Sequence, residues 1–338
     1  MLFITNIEGD KMNYSNIMMF HGSGGIYTKN LIHDIFYKHF GNSLLLEGLD
    51  SAVFHMGEER LAFTTDSYVV KPWRFPGGDI GKLSVCGTVN DLSVAGAKPL
   101  YLSCGFIIEE GFSMVNLETI TNSMARAAEE EGIKIITGDT KVVEKGFADG
   151  VYINTAGIGV LYRNYEMKKI MPEDKIILTG TIAEHGTAIA VQRYNLKVKT
   201  DIKSDCASVN KIVEHIEPFM KYIKIMKDPT SGGIATSLNE IAEYASLSIY
   251  IFEDKIPIGK EVESLNKLLG IDPLYLACEG RVLIIAEGEK SEEILNRLHE
   301  LESCKNAQII GRFGKNKDAL VFIENYFGGR RILTSLEG

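Results

Sequence analysis

The chain lacks the features that would staple it covalently or anchor it in a membrane. Its five cysteines (Cys86, Cys104, Cys206, Cys278 and Cys304) are dispersed and form no Cys-x-x-Cys pair. That spacing excludes a disulfide framework and the usual zinc site, and it points to reduced thiols in a cytoplasm. Positive charge is also scarce, with 36 Lys and Arg against 45 Asp and Glu and a formal charge of −9. No basic face can dominate the field, so neither a nucleic acid nor an anionic membrane is an expected partner. Lys197-Val198-Lys199 is too short to change this. There is no basic leader and no long apolar run. Met1–Ile7 is apolar but is followed by Glu8 and Asp10, so neither secretion nor membrane insertion is expected. Met12 is an alternative start. No Gly-x-Gly-x-x-Gly or Gly-x-x-x-x-Gly-Lys-Ser/Thr signature stands at a strand-to-helix turn, which removes the main support for Rossmann and P-loop readings.

What is present is an ordinary globular composition, 45% hydrophobic and 24% charged, over 338 residues. Such a chain has room for about two domains. Leu31, Ile32, Ile35, Phe36 and Phe40 recur at helical spacing, which gives an arm and helix over 1–42. Strands at 61–65, 101–108, 134–137 and 151–160, with helices at 79–97 and 115–131, make a first domain over 43–162. The polar stretch 163–174, with Pro172, marks the boundary. A second domain over 163–338 alternates strands at 175–179, 247–252, 281–286, 307–311 and 320–323 with helices at 186–194, 209–222, 232–246, 261–269 and 291–301. The class is α+β.

Acidic residues surrounded by small ones recur at the ends of these elements: Asp66, Asn90 with Asp91, and Asp139. Carboxylate oxygens that converge, beside glycine loops exposing backbone N–H groups, suit a magnesium–nucleotide site. Asp66, Asp91 and Asp139 are the candidate metal ligands. Gly138-Asp139-Thr140 follows an apolar strand, where Asp139 either binds the metal or closes a turn. Lys141 offers a positive charge to a phosphate. Asp228-Pro229-Thr230-Ser231-Gly232-Gly233 precedes an apolar helix, so Asp228, Thr230 or Ser231 is expected to cap it. Free N–H groups there can also hold phosphate oxygens, which makes Asp228, Thr230 and Gly232 candidate nucleotide-site residues. His21-Gly22-Ser23-Gly24-Gly25 reads as a flexible loop or as a flap over a triphosphate. His185 is a turn residue or a proton carrier. Glu279 is either a paired ion or a base with a raised pKa. Cys278 reads as packing.

Together these segments resemble the HypE carbamoyl dehydratase family of hydrogenase maturation, within the aminoimidazole ribonucleotide (AIR) synthase superfamily. The likeness rests on HGSGG at 21–25, DSYVVKPWRFPGGDIGKLSVCGTVNDLSVAGAKPLYLS at 66–103, TGDTKVVEKG at 137–146, INTAGIG at 153–159, KDPTSGGIATSLNEIA at 227–242 and IDPLYLACEG at 271–280. It implies a two-domain PurM-like fold whose first-domain sheets pair between two subunits into a barrel. It also implies ATP and Mg2+ as cofactors near the dimer interface. The reaction it implies is ATP-dependent dehydration of a carbamoyl group, carried as a thioester on a C-terminal cysteine, to thiocyanate. The cyanide then becomes an iron ligand of a nickel–iron hydrogenase. Lys141, Glu279 and Asp139 match the family's catalytic positions. The implied partners are the carbamoyl transferase HypF and the HypC–HypD iron scaffold.

Two departures stand out. The family closes with Pro-Arg-Ile-Cys, whereas this sequence runs to Thr334-Ser335-Leu336-Glu337-Gly338, and a tail is expected to follow. Ser231 replaces the family's usual arginine, which removes a guanidinium from a phosphate contact or a salt bridge. An AIR-synthase-like enzyme acting on a free small amide or acid, and a tail-less ATP-binding partner, stay open as alternatives.

Overall fold

The computed structural model describes residues 16–194 and 196–336. Met1–Ile7, Glu8, Asp10 and Met12 lie outside the described residues. The chain opens with α1 (Ile26–Leu31), which runs through a π-helical stretch (Ile32–Tyr37) into α2 (Lys38–Phe40). Next come β1 (Ala52–Met56), β2 (Glu59–Tyr68), a small hairpin of β3 (Arg74–Phe75) and β4 (Gly78–Asp79), and α3 (Ile80–Val94). β5 (Ala97–Glu109), α4 (Met114–Glu130), β6 (Lys134–Val143) and β7 (Val151–Leu161) complete the first half. Its sheet runs β1-β2-β7-β5-β6, antiparallel except between β5 and β6.

Small residues let α3 lie directly on this sheet. A Cβ at Gly87 would stand 2.3 Å from the Tyr68 hydroxyl, and one at Gly81 would stand 2.3 Å from the Ile120 carbonyl of α4. Every residue of α3 is buried except Lys82 and Asp91. Along β7, Val151, Ile153 and Thr155 are buried, while Asn154 between them is open to solvent. The alternation gives the sheet one packed face and one open face. Phe63, Tyr101 and Ile107 are exposed on this sheet, as are Ile135, Ile136 and Val142 of its edge strand β6.

The second half contains β8 (Lys175–Leu178), α5 (Glu184–Arg193), α6 (Asn210–His215), β9 (Ile223–Lys227), α7 (Gly233–Ala245), β10 (Ile249–Phe252) and α8 (Lys260–Leu269). It closes with β11 (Leu283–Ala286), α9 (Ser291–Leu298), β12 (Gln308–Phe313), β13 (Val321–Glu324) and β14 (Arg330–Leu333). Its seven-stranded sheet runs β14-β13-β10-β12-β8-β11-β9. Ile176, Leu178, Leu283 and Ile285 enter one apolar core, whereas Ile177, Ile284 and Ala286 enter the other. Burial on both faces explains why these strands read as unbroken apolar runs rather than as an alternation. No helix among the described residues is long and apolar enough to cross a membrane.

The structure departs from the sequence reading at several points. β2 continues to Tyr68 and β6 to Val143, so Asp66 and Asp139 lie inside strands rather than in turns. The expected helix over 209–222 breaks into α6 and a 3-10 turn at Pro218, followed by β9, which was missed. The lysines of β9 hid its pattern: Lys224 and Lys227 are drawn inward and paired, to Glu287 at 2.8 Å and to Asp50 at 2.6 Å. β1, β14 and the hairpin of β3 and β4 were also unforeseen.

Candidate active site

A cleft of about 220 Å³ opens between the two halves, at the end of β2. Four carboxylates face it: Asp66 from β2, Asp91 from α3, Asp228 just after β9, and Glu279 just before β11. Strand parity points Asp66 to the packed side of its sheet, in register with Thr155 of β7 and so through Cys104 with Gly138 of β6. Asp91 is held by Thr64, whose hydroxyl lies 2.8 Å from Asp91 Oδ2 and 2.9 Å from the Asp50 carbonyl and donates to one of them. Ser51 donates to the Asp91 carbonyl at 3.1 Å. The Asp66 carboxylate accepts the Ser67 N–H at 2.7 Å.

The acids repel one another in a poorly solvated space. Burial raises the Asp91 carboxyl well above its ordinary range, and Asp228, Asp50 and Asp66 push it further. Asp228 is pushed up to about 7, first by burial and then by Asp50. Burial, then Asp205, Asp228 and Asp66, raise Glu279 well above a normal carboxyl. Asp66 is raised by burial as well, although its side chain still reaches solvent. Among the described residues lining the cleft there is no lysine or arginine. Lys227 stands behind it, 2.6 Å from Asp50 and 3.4 Å from Glu240. A wall of hard oxygens with raised pKa values and no facing cation attracts a divalent metal ion. Among the described residues, however, no three of these groups stand close enough together to ligate one as placed.

Asp139 does not join them. It pairs with Gly105 of β5, which pairs with Asn154 of β7, so it stands on the open face of the sheet. Its strand is three removed from β2, about 14 Å at the usual strand spacing. There Asp139 is exposed and bound to Lys141 at 2.7 Å, and that ammonium holds its carboxyl below the usual range. Lys141 shares its parity, so Lys141 and Glu279 are not brought together within one chain. Gly138 and Thr140 lie beside Asp139 on β6; a Cβ at Gly138 would stand 2.4 Å from the Cys104 carbonyl. No group of three His, Cys, Asp or Glu among the described residues stands ready to hold a metal ion.

Asn90 also differs from its expected role as a nucleotide contact. It is fully buried. Its amide donates to the Ala207 and Glu279 carbonyls at 3.2 Å each, and its oxygen accepts the Val209 N–H at 2.8 Å. Its hydrogen-bonding groups are all engaged, so it clamps Glu279's backbone to α3 instead of facing the cleft.

At the opposite lip, Asp228-Pro229-Thr230 leads into α7 through Gly232 and Gly233, with φ of 73° and 61°. The expected capping is absent: no side chain caps α7. The left-handed turn carries the chain into the helix, and the Thr230 carbonyl takes the Gly233 N–H at 3.0 Å instead. Ser231 leaves room for the glycine loop, since a Cβ at Gly24 would stand 2.3 Å from the Ser231 Cβ. His21 and Gly22 close a 3-10 turn, Ser23 donates to the Phe20 carbonyl at 2.8 Å, and Gly25 precedes α1. His185 lines the cleft, its Nδ1 2.8 Å from the Ser204 hydroxyl and its ring edge-on to Phe75. Burial lowers its pKa. Asp50 was missed by sequence reasoning, because a lone acid in Leu49-Asp50-Ser51 carries no signal of its own. Cys278 is fully buried, with its sulfur 3.3 Å from the Ala183 N–H.

A two-half fold with an acid-lined cleft between the halves defines a class. Residues 48–161 match the N-terminal domain of AIR synthase related proteins, and residues 171–323 match their C-terminal domain. The chain belongs to the AIR synthase related family. It is 43% identical over 321 residues to the carbamoyl dehydratase HypE of Bradyrhizobium diazoefficiens, covering 94% of this chain and 93% of that protein. With HypE of Escherichia coli the identity is 38%, over 94% and 96% of the two chains. A HypE–HypF complex superposes with a TM-score of 0.86 at 44% identity, over 90% of this chain and 99% of that one. A HypE structure in complex with ATP gives a TM-score of 0.80 at 41% identity, over 96% and 98%. Within the family this chain is thus a hydrogenase-maturation carbamoyl dehydratase of the HypE group.

Proposed function

We propose that Asp66, Asp91 and Asp228 hold the Mg2+ that accompanies ATP, and that Glu279 works on the carbamoyl group at the same cleft. The observation that carries this is the convergence of these four acids from both halves of the chain. The uncapped N-terminus of α7 leaves N–H groups to donate to phosphate oxygens, with Thr230 and Gly232 at its entrance. The glycine loop reaches Ser231 at Gly24. ATP supplies the phosphoryl group that turns an amide oxygen into a leaving group.

In the balanced reaction the thiocarbamate loses its oxygen to phosphate and both nitrogen protons, leaving a thiocyanate. Glu279 suits the proton-accepting part, because its raised pKa makes it a stronger base than an exposed carboxylate. Asn90 and Asp205 fix its backbone: Asp205 Oδ1 accepts the Glu279 N–H at 3.2 Å. Lys141 and Asp139 stand too far from Glu279 to act in one chain, so in this reading they act across a homodimer. The open face and the β6 edge suit pairing with a second copy, because they carry exposed apolar residues. The relative solved with HypF supports a HypF-type transferase as the partner that loads the cysteine, with a HypC–HypD scaffold receiving the cyanide. Five free, buried cysteines are consistent with a cytoplasmic setting.

The test uses the chain extended by a Pro-Arg-Ile-Cys tail and carbamoylated on that cysteine. ATP should drive loss of one water mass from the tail, with release of phosphate. Asp66→Asn and Asp228→Asn should weaken Mg2+-dependent ATP binding, whereas Glu279→Gln should bind ATP and fail to dehydrate. Unchanged nucleotide binding in both aspartate variants would refute the assignment. Mixing Lys141→Ala with Glu279→Gln should restore activity through mixed dimers; no recovery would place Lys141 outside the site.

A further inference from the structure

A second and larger cavity, of about 620 Å³, lies beside Lys82, the other half-buried position of α3, and shares no lining residue with the carboxylate cleft. Its walls carry three cations from three elements: Arg74 of β3, Lys82 of α3 and Arg126 of α4. Among the described residues none of the three has a carboxylate within ion-pair distance. In a chain of net charge −9, unpaired cations that converge are out of keeping with the average surface. The one acid in the wall, Asp79, is engaged in part, because its Oδ1 accepts the Lys82 N–H at 3.0 Å and caps α3. Two net positive charges remain.

A second observation points the same way. Ser123 of α4 is 93% buried, its exposure being 7%, yet it lines this cavity. Its hydroxyl makes no hydrogen bond to any described residue, whereas Thr119, one turn earlier, donates back to the Val115 carbonyl. The oxygen is not sealed among the buried unpartnered atoms but opens on the cavity, where a hydroxyl with no protein partner is free to donate to a ligand. The opposite wall is rigid. Gly77 has φ of 95°, a Cβ on it would lie 2.6 Å from the Ser204 carbonyl, and the Ser204 N–H donates to Pro76 at 2.8 Å.

We propose that this cavity is a binding site for a small phosphorylated molecule of the phosphate-ester or pyrophosphate class. Two guanidinium forks match phosphate oxygens in pairs, Lys82 adds a point charge, and the Ser123 hydroxyl adds a neutral donor on the wall. The volume falls in the range of small-ligand pockets, and the cations converge on one space rather than tracking along a groove as an extended acidic peptide would need. The site is independent of the metal-and-ATP assignment.

Calorimetric titration with inorganic pyrophosphate, without divalent cations and with a chelator present, tests this. Under those conditions the acid-lined cleft repels the probe. One pyrophosphate should bind per chain, weakening as salt rises. Arg74→Ala and Arg126→Ala should each weaken binding about tenfold or more, and Ser123→Ala severalfold. Neither arginine hydrogen-bonds to any described residue, so their removal leaves the fold intact, as circular dichroism would verify. Absence of binding at millimolar pyrophosphate, or equal binding in both arginine variants, overturns the proposal. So does binding of a glutamate-rich peptide where pyrophosphate fails.

Discussion

Replacing Lys227 with methionine removes the cation that neutralises the acidic wall behind the cleft. Lys227 Nζ lies 2.6 Å from Asp50, which precedes β1, and 3.4 Å from Glu240 on α7. It therefore ties the two halves together. Burial works against its charge, but Asp50 and Glu240 outweigh that and raise its pKa. Lys227 and Asp50 keep about a fifth of their side chains exposed, 19% and 23%, which places the pair nearer the buried than the surface limit. Removing one partner of a buried pair costs about 3–5 kcal/mol, against about 0–1 for an exposed pair. A loss of about 3 kcal/mol is the expected value for Lys227→Met. Asp50→Asn should cost less, about 1 kcal/mol, because it also relieves repulsion on Asp91 and Asp228. Urea unfolding of the two single variants and the double variant measures the coupling, expected at about 1–2 kcal/mol. A Lys227→Met variant within about 0.5 kcal/mol of the parent, or strict additivity, would show that the pair is solvated and the reasoning wrong.

Other outcomes rest on the same geometry. Asn90→Leu strands the Ala207 carbonyl and the Val209 N–H at the junction, while the Glu279 carbonyl keeps the Ala207 N–H, and this should cost about 2–3 kcal/mol. In the carbamoylated, tail-extended chain it should lower kcat while nucleotide affinity changes little; a selective loss of ATP binding would instead make Asn90 a direct contact. Gly96→Ala adds a Cβ 1.9 Å from the buried Tyr165 ring at φ of 77°, costing about 3 kcal/mol in overpacking and backbone strain; a near-parental melting temperature would contradict the packing. His185 has a lowered pKa in the folded chain, so between its folded value and the ordinary value near 6.5 the unfolded chain binds more protons. The parent should therefore lose stability as pH falls below about 6.5, with Asp205 partly opposing the effect. His185→Gln should lack that slope, and parallel pH–stability curves for the two chains would disprove it.

How much of this was legible in the sequence differs between the elements. α3 and α4 could be read because their small or amphipathic faces repeat at helical spacing. β8 and β11 could be read because unbroken isoleucine and leucine runs leave little choice once both faces are covered. β9 could not, since its lysines reach inward to acids that lie far away in the chain. The motif letters flagged Asp66, Asp91, Asp228 and Glu279, but gave no indication that Asp139 was different from them. Parity along β6 and the register through β5 and β7 decide that, and neither exists before the strands pair.

The sequence by itself settled composition, class and kinship, because hydrophobic periodicity and long specific motifs are properties of neighbours along the chain. Tertiary structure alone decided which acids share a space, that Asn90 is a clamp, and that three scattered cations surround a cavity. Those facts depend on which face of a sheet or helix a side chain takes. A strand lengthened by pairing, or a bulge that shifts register, changes that face without changing a letter.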